Sequence, residues 1–209
     1  TAKVRKRSAA MQLRKLFEYA GDLLGLHLEV MITDGKQPIG RGIGPVLEAR
    51  DVMLVLENDP LAPMDLKEKS LQLAGRILEF DADVRGGQGY FIARDILESG
   101  RALDKFQSIV DAQGASPQSY TSGRLTQDIV APASGTIAAI DNLQMARIAR
   151  LAGAPMDKGA GIDLYKKLGD QVRESEPIYR IYSEFNADFE FARQAAELDN
   201  GYGIDSNEP

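Results

Sequence analysis

The sequence contains no cysteine and a single histidine, His27. The first absence excludes disulfides, thiolate zinc sites and a cysteine nucleophile. The second excludes a Ser-His-Asp triad and a histidine-rich metal site. His27 itself lies inside an apolar stretch and is read as structural. Long hydrophobic runs are also lacking. The longest, such as Val52 to Leu56, fall far short of the ~18 residues that suggest a membrane-spanning helix. Thr1 begins no signal peptide, so the expectation is a soluble, cytoplasmic protein with no membrane partner.

What is present is an ordinary globular composition of 209 residues, 44% apolar and 27% charged, enough for one large or two small domains. Two is the working count. A net charge of −6 argues against a nucleic-acid partner, because backbone binding needs a cationic face to release counterions. The beginning of the chain is the exception. Lys3, Arg5, Lys6 and Arg7 make either a solvated terminus or an anion-binding edge.

Periodicity predicts a helix capped by Ser8, with Leu13, Leu16, Phe17, Ala20 and Leu24 on one apolar face and Gly25 as the stop. Leu26 to Thr33 alternates and reads as a strand. A glycine-rich turn follows to Gly44, and Pro45 opens a helix ending near Leu56. Further helices are expected from Asp65 to Leu78 and from Leu103 to Gln113, with a glycine-bounded apolar segment between them. The stretch from Gly114 to Gly123 is polar and turn-forming, and marks a domain boundary. Beyond it the period changes to two around Ile129, Gly135 to Ile140, Ile162 to Tyr165 and Ile178 to Tyr182. Helices interrupt or follow at about Asn142 to Leu151 and Ala187 to Leu198. The tail from Asp199 to Pro209 reads as frayed.

The fold class expected is α/β with α+β. Residues 1–115 form a partial α/β lobe, and residues 116–209 a β-rich, barrel-sandwich-like module with an inserted helix.

Few residues carry chemistry. Gly40, Gly42 and Gly44 follow a strand pattern, but match neither the dinucleotide spacing nor the Walker pattern, so a tight structural turn is preferred to a phosphate loop. Ala131 to Ile137 and Leu168 to Ile178 are similar in shape to the two halves of a biotinyl/lipoyl sandwich. The hairpin that would carry the modified lysine is replaced by a helix and a glycine-rich stretch, so Lys158 is not read as a carrier lysine. Asp81 with Asp83, and Glu174 with Glu176, lie in polar runs and read as solvated surface rather than as an acid-base pair.

The order of several segments resembles the pyrimidine-nucleoside phosphorylase family, in the branch that groups AMP phosphorylases with bacterial thymidine phosphorylases. These are Thr1 to Val4, Ile32 to Gly35, Gln37 to Pro45, Leu47 to Asp51, Leu73 to Gly75, Ile96 to Gly100 and, most specifically, Asn142 to Ile162. The resemblance runs over about residues 1–195 and implies the carboxyl-terminal part of a pentosyltransferase. In that family phosphate displaces the base from C1′ of a nucleoside. The resemblance implies no metal or organic cofactor, inorganic phosphate as co-substrate, and a homodimer for the intact enzyme.

No residue here matches the family's phosphate loop, catalytic acid or substrate-clasping Ser and Lys, so the resemblance assigns no catalytic residue in this chain and an inactive isolated chain. It does imply a substrate contact at Lys3, in a matching Lys-Val pair. Three functions stay open: part of a thymidine phosphorylase, part of an AMP phosphorylase acting on nucleoside 5′-monophosphates, or a non-catalytic binding or regulatory module.

Overall fold

A computed structural model describes residue 4 and residues 6–114 and 118–205. The first helix, α1, spans Arg7–Leu24, with Lys6 at its N-cap. Ser8 therefore lies inside the helix rather than capping it, and no side chain caps this end. Gly25, at φ 65°, closes it, and Leu26 N–H donates to Gly21 O at 2.9 Å. Gly21 is the one buried residue of α1, while Leu16, Phe17 and Leu24 are 67%, 52% and 72% exposed. The apolar face read from sequence exists, but among the described residues little covers it.

Leu26 to Thr33 is not a strand. Alternation supplies only one side of a ladder, and strand structure requires a neighbour to accept and donate across it. No segment among the described residues does so here.

The glycine-rich segment next contributes β1 (Gly42–Ile43) and leads into α2 (Pro45–Leu56), with Pro45 at the helix start. Pro45 fits there because the first helical N–H has no intrahelical partner to lose. Glu48 Oε1 accepts from Gly44 N–H at 3.0 Å, satisfying an end group of the same helix. Three helices follow, α3 (Met64–Leu78), α4 (Gln88–Glu98) and α5 (Arg101–Gln113). The segment from Gln88 is thus a full helix. It approaches α3 closely because Gly75 faces Gly89, where an added Cβ would lie 2.1 Å from Gly75 O. Val55, Ala62, Leu71, Ala93 and Leu97 form the small core of this half.

The remaining elements are β2 (Leu125–Val130), β3 (Gly135–Ile140), α6 (Asn142–Leu151), β4 (Gly161–Leu164), β5 (Gln171–Val172), β6 (Pro177–Ser183), α7 (Asn186–Leu198) and β7 (Tyr202–Asp205). They build two antiparallel sheets, in orders β1-β4-β6-β2 and β5-β3-β7, without closing a barrel. The two sandwich-like sequence segments do meet, with Gly135 opposite Val172 and Thr136 opposite Gln171.

Alternation along β6 buries Tyr179, Ile181 and Ser183, and Ile178, beside the register irregularity at Ile129 and Val130, is buried as well; Ile178, the Tyr179 ring and Ile181 share a core with Ile137, Met145, Ile148, Ile162, Leu164 and Ala192. Asp141 caps α6 by accepting from the N–H groups of Leu143 and Gln144. The tail is not frayed over its described part. β7 pairs with β3, from Thr136 opposite Asp205 to Ile140 opposite Tyr202. Its composition is polar, but its partner lies some sixty residues upstream, beyond the reach of local patterning. Residues 206–209 lie outside the described residues. β1, from the first half of the chain, shares a sheet with β4 from the second.

Candidate functional site: a cationic cavity and the loop behind it

At the start of α1 the chain leaves a cavity of about 630 Å³, lined by Val4, Lys6, Arg7 and Ala10 on one side and Ile32 to Lys36 on the other. Among the described residues, Lys6, Arg7 and Lys36 bring three positive side chains to it against the single carboxylate of Asp34. The first turn of α1 carries no acidic residue, so its free N–H groups and helix dipole add to the positive potential. This arrangement suits an anion: lysines act as point charges and arginine as a planar fork for phosphate or carboxylate.

The loop forming the far wall is held from behind by distant elements. Asp34 O accepts from Lys69 Nζ of α3 at 2.8 Å, and Gly35 O accepts from Asn142 Nδ2 of α6 at 2.7 Å. Gln37 Oε1 accepts from Leu168 N–H at 2.9 Å. Lys167 Nζ donates to Pro38 O and Gly40 O at 2.5 and 2.7 Å and pairs with Asp65 Oδ2 at 2.9 Å. At the front, Asp34 Oδ1 accepts from Lys36 N–H at 3.0 Å and turns the loop tightly.

The glycines continue this bracing. The Asp51 side chain is buried, and its Oδ2 accepts from the N–H groups of Arg41 and Gly42 at 2.6 and 2.7 Å. A Cβ on Gly40 would lie 2.8 Å from that oxygen, and one on Gly42 would lie 2.4 Å from the Leu47 carbonyl carbon. Gly44, at φ 127°, faces Ala160 O, which an added Cβ would meet at 2.3 Å. The glycine run is therefore a tight structural turn wrapped around Asp51 and pressed against β4. Arg50 completes it, donating to Asp51 and to Asp163 of β4. These carboxylates, Asp163 foremost, hold the Arg50 guanidinium well above its ordinary pKa against the opposing effect of burial.

Lys3 lies outside the described residues. The other singled-out residues are scattered. His27 is exposed and meets Phe80 edge to face, with ring centroids 4.7 Å apart. Lys158 is exposed and donates to Pro155 O at 3.1 Å. Asp81 Oδ1 accepts from Asp83 N–H in a surface turn. Glu176 pairs with Lys166 at 2.5 Å, which lowers its pKa, and Glu174 is exposed. None of these approaches the cavity. Among the described residues no group of three or more His, Asp or Glu is placed to hold a metal, and no helix is long and apolar enough to cross a membrane.

Sequence reasoning did not single out Arg50, Asp51, Asn142 or Lys167 as individual residues. Asn142 reads as a helix start and Lys167 as one surface lysine among many. Their loop partners lie 107 to 129 residues away, and no local spacing reports such a contact.

Residues 136–205 match the pyrimidine nucleoside phosphorylase C-terminal domain. The whole chain is similar to proteins named "putative thymidine phosphorylase". That of Methylococcus capsulatus is 64% identical over 204 residues, covering 98% of this chain and 40% of the relative. That of Albidiferax ferrireducens is 59% identical over 207 residues, again 98% and 40%. The protein of Rhodopseudomonas palustris strain CGA009 is 54% identical over 209 residues, 100% and 41%. The chain thus spans about two fifths of the length of the curated relatives it matches. Through that C-terminal domain and this run of identity along its length, the chain belongs to the pyrimidine nucleoside phosphorylase family.

Proposed function

We propose that this chain is the carboxyl-terminal part of a cytoplasmic, homodimeric thymidine phosphorylase. Residues 1–115 are then part of its α/β lobe and residues 116–209 its terminal β-rich domain. The reaction is thymidine plus phosphate to thymine plus 2-deoxyribose 1-phosphate. A phosphate oxygen forms a bond to C1′ as the C1′–N1 bond breaks, and the departing electron pair stays on the base, which takes up a proton. The observation that carries this reading is identity of 64% to a relative bearing that name across 98% of the chain.

Such a reaction is accelerated by holding the two substrates in line and by stabilising charge that builds on the leaving base. This chain supplies positioning and positive potential, through Lys6, Arg7 and Lys36 around the cavity and through Lys3 as a substrate contact. No catalytic residue is assigned within it, and the isolated chain is expected to release no base.

The same cationic lining favours a second reading, in which the substrate is a nucleoside 5′-monophosphate and Lys3 meets its 5′-phosphate. The test is base release from thymidine, AMP and CMP by a full-length protein carrying this sequence, with phosphate in excess. Thymine release, abolished without phosphate, is expected. Turnover of monophosphates alone overturns the first reading in favour of the second. No phosphorolysis of any of them leaves the non-catalytic module.

A further inference from the structure

The loop that faces the cationic cavity is held by a side chain of the carboxyl-terminal domain, and the terms of that contact are unusual. Asn142 begins α6, directly after the capping residue Asp141. Its Nδ2 donates to Gly35 O at 2.7 Å, across 107 residues of sequence. Its Oδ1 is buried and has no hydrogen-bond partner among the described residues. Rotating the amide would not help, because it would set the side-chain oxygen against the Gly35 carbonyl. The residue thus makes one good bond to the loop and leaves one buried acceptor unsatisfied. As a device for stability this is poor, since an unsatisfied buried acceptor offsets most of what a single net hydrogen bond contributes.

The contact is better accounted for by what it fixes. Gly35 lines the cavity together with Lys6, Arg7 and Lys36. Lys36 is the next residue, and its N–H is bound to Asp34 Oδ1 in the turn that Asn142 clamps. A shift of the Gly35 peptide therefore moves the Lys36 backbone, and with it one of the three cations of the cavity. Leu168 N–H and Lys167 Nζ hold the following residues, Gln37, Pro38 and Gly40, from the same domain. Lys69 of α3 holds Asp34, but among the described contacts from the carboxyl-terminal domain Asn142 is the one that reaches a residue lining the cavity itself.

We propose that Asn142 is a positioning residue, by which the carboxyl-terminal domain sets the Asp34 to Lys36 wall of the anion site used in phosphorolysis. The proposal rests on the reading of the chain as part of a phosphorylase, and extends it. The terminal domain is then part of the machinery that places inorganic phosphate, through a hydrogen bond to a loop it does not contain.

The experiment uses a full-length protein carrying this sequence, with inorganic phosphate as the varied substrate, and compares Asn142→Ala with Gln144→Ala. Gln144 donates from the same helix to Asp199 O at 2.7 Å and to Ala195 O, away from the loop, so its loss weakens the domain without touching the wall. Asn142→Ala is expected to lower kcat/KM for phosphate about tenfold or more, mainly through KM, with little change in thermal midpoint. Its amides at residues 33–37 exchange faster. Gln144→Ala is expected to lower the thermal midpoint and leave both the KM for phosphate and the exchange at residues 33–37 unchanged.

Unchanged kinetics in Asn142→Ala, or equal changes in both variants, overturn the proposal while leaving the phosphorylase reading intact. If the unaltered protein performs no phosphorolysis, the function and this role in it both fall.

Discussion

Arg50 and Asp163 face each other across 113 residues of sequence and join by two parallel bonds, Nη1 to Oδ2 at 2.7 Å and Nη2 to Oδ1 at 2.8 Å. The same guanidinium donates through Nε and Nη2 to Asp51 Oδ1 at 3.0 and 2.8 Å. One planar side chain thus locks α2 to β4, and through Asp51 locks both to the glycine turn. A lysine could offer a charge there but not two forks in one plane.

Removing that plane leaves Asp51, whose side chain is 2% exposed, with only its two backbone donors. Breaking a fully buried pair costs about 3–5 kcal/mol, and Arg50 is a third exposed, so about 2–3 kcal/mol is expected for Arg50→Met. Arg50→Lys is expected to recover less than half of it. Urea unfolding of the three proteins measures this. A loss below about 0.5 kcal/mol, the range of ordinary surface substitutions, would show that the bridge is incidental.

The glycine turn gives a prediction that separates conformation from space. Gly86, at φ 66°, has nothing within 4 Å of an added Cβ, so Gly86→Ala carries only the left-handed backbone cost, about 1 kcal/mol. Gly44, at φ 127°, adds a 2.3 Å encounter with Ala160 O, where β1 crosses β4. Gly44→Ala is expected to cost at least about 3 kcal/mol and to loosen that crossing. Equal thermal midpoints for the two variants would contradict the close approach.

Asp128 and Arg180 form a bidentate cross-strand pair between β2 and β6, with bonds of 2.6 and 2.7 Å. The Arg180 hydrogen bond holds the Asp128 carboxyl below its ordinary value, against a smaller opposing effect of burial. A carboxylate with a lowered folded-state pKa stabilises above its unfolded value of about 4, and that contribution is lost as pH falls through the folded one. Both side chains are about a third exposed, so the contribution is screened and stays below about 1 kcal/mol. Asp128→Asn is expected to melt slightly earlier than the unaltered chain at about pH 7 and together with it near pH 2. A gap between the two that persists at the acid end would point to packing rather than charge.

Much of this architecture is legible in the sequence, and the reason is locality. α2 and α6 begin and end where Pro45, Leu56, Asn142 and Leu151 place them, because helix starts, stops and periodicity are written within one segment. β7 is not legible there, because its ladder partner is remote and its own residues are largely polar. Leu26 to Thr33 reads as a strand from an alternation that is real, but a strand also needs a neighbour. The same divide runs through the site. Lys6 and Arg7 stand out as a charge run, whereas Asn142, Lys167 and Asp51 acquire their roles only when folding brings the loop to them.

That divide predicts how protection is distributed along the chain. β2, β3, β4 and β6 carry ladder bonds on both sides or lie over a core in which Ile148, Ile162, Ile178 and Ile181 are fully buried. Leu26 to Thr33 has no ladder, and Leu26, Leu28 and Ile32 are exposed. Amide exchange reports the free energy of opening, which is high where bonds are shielded by packing and near zero where they are not. In the isolated chain, amides within residues 129–182 are therefore expected to exchange at least about a hundredfold more slowly than those within residues 26–33. The α3 and α4 amides should fall between, because their shared core is small and one helix, α5, covers it without burying a residue of its own. The opposite order would mean that Leu26 to Thr33 finds a partner in solution, and another copy of the chain pairing along that segment would be the first thing to test by sedimentation.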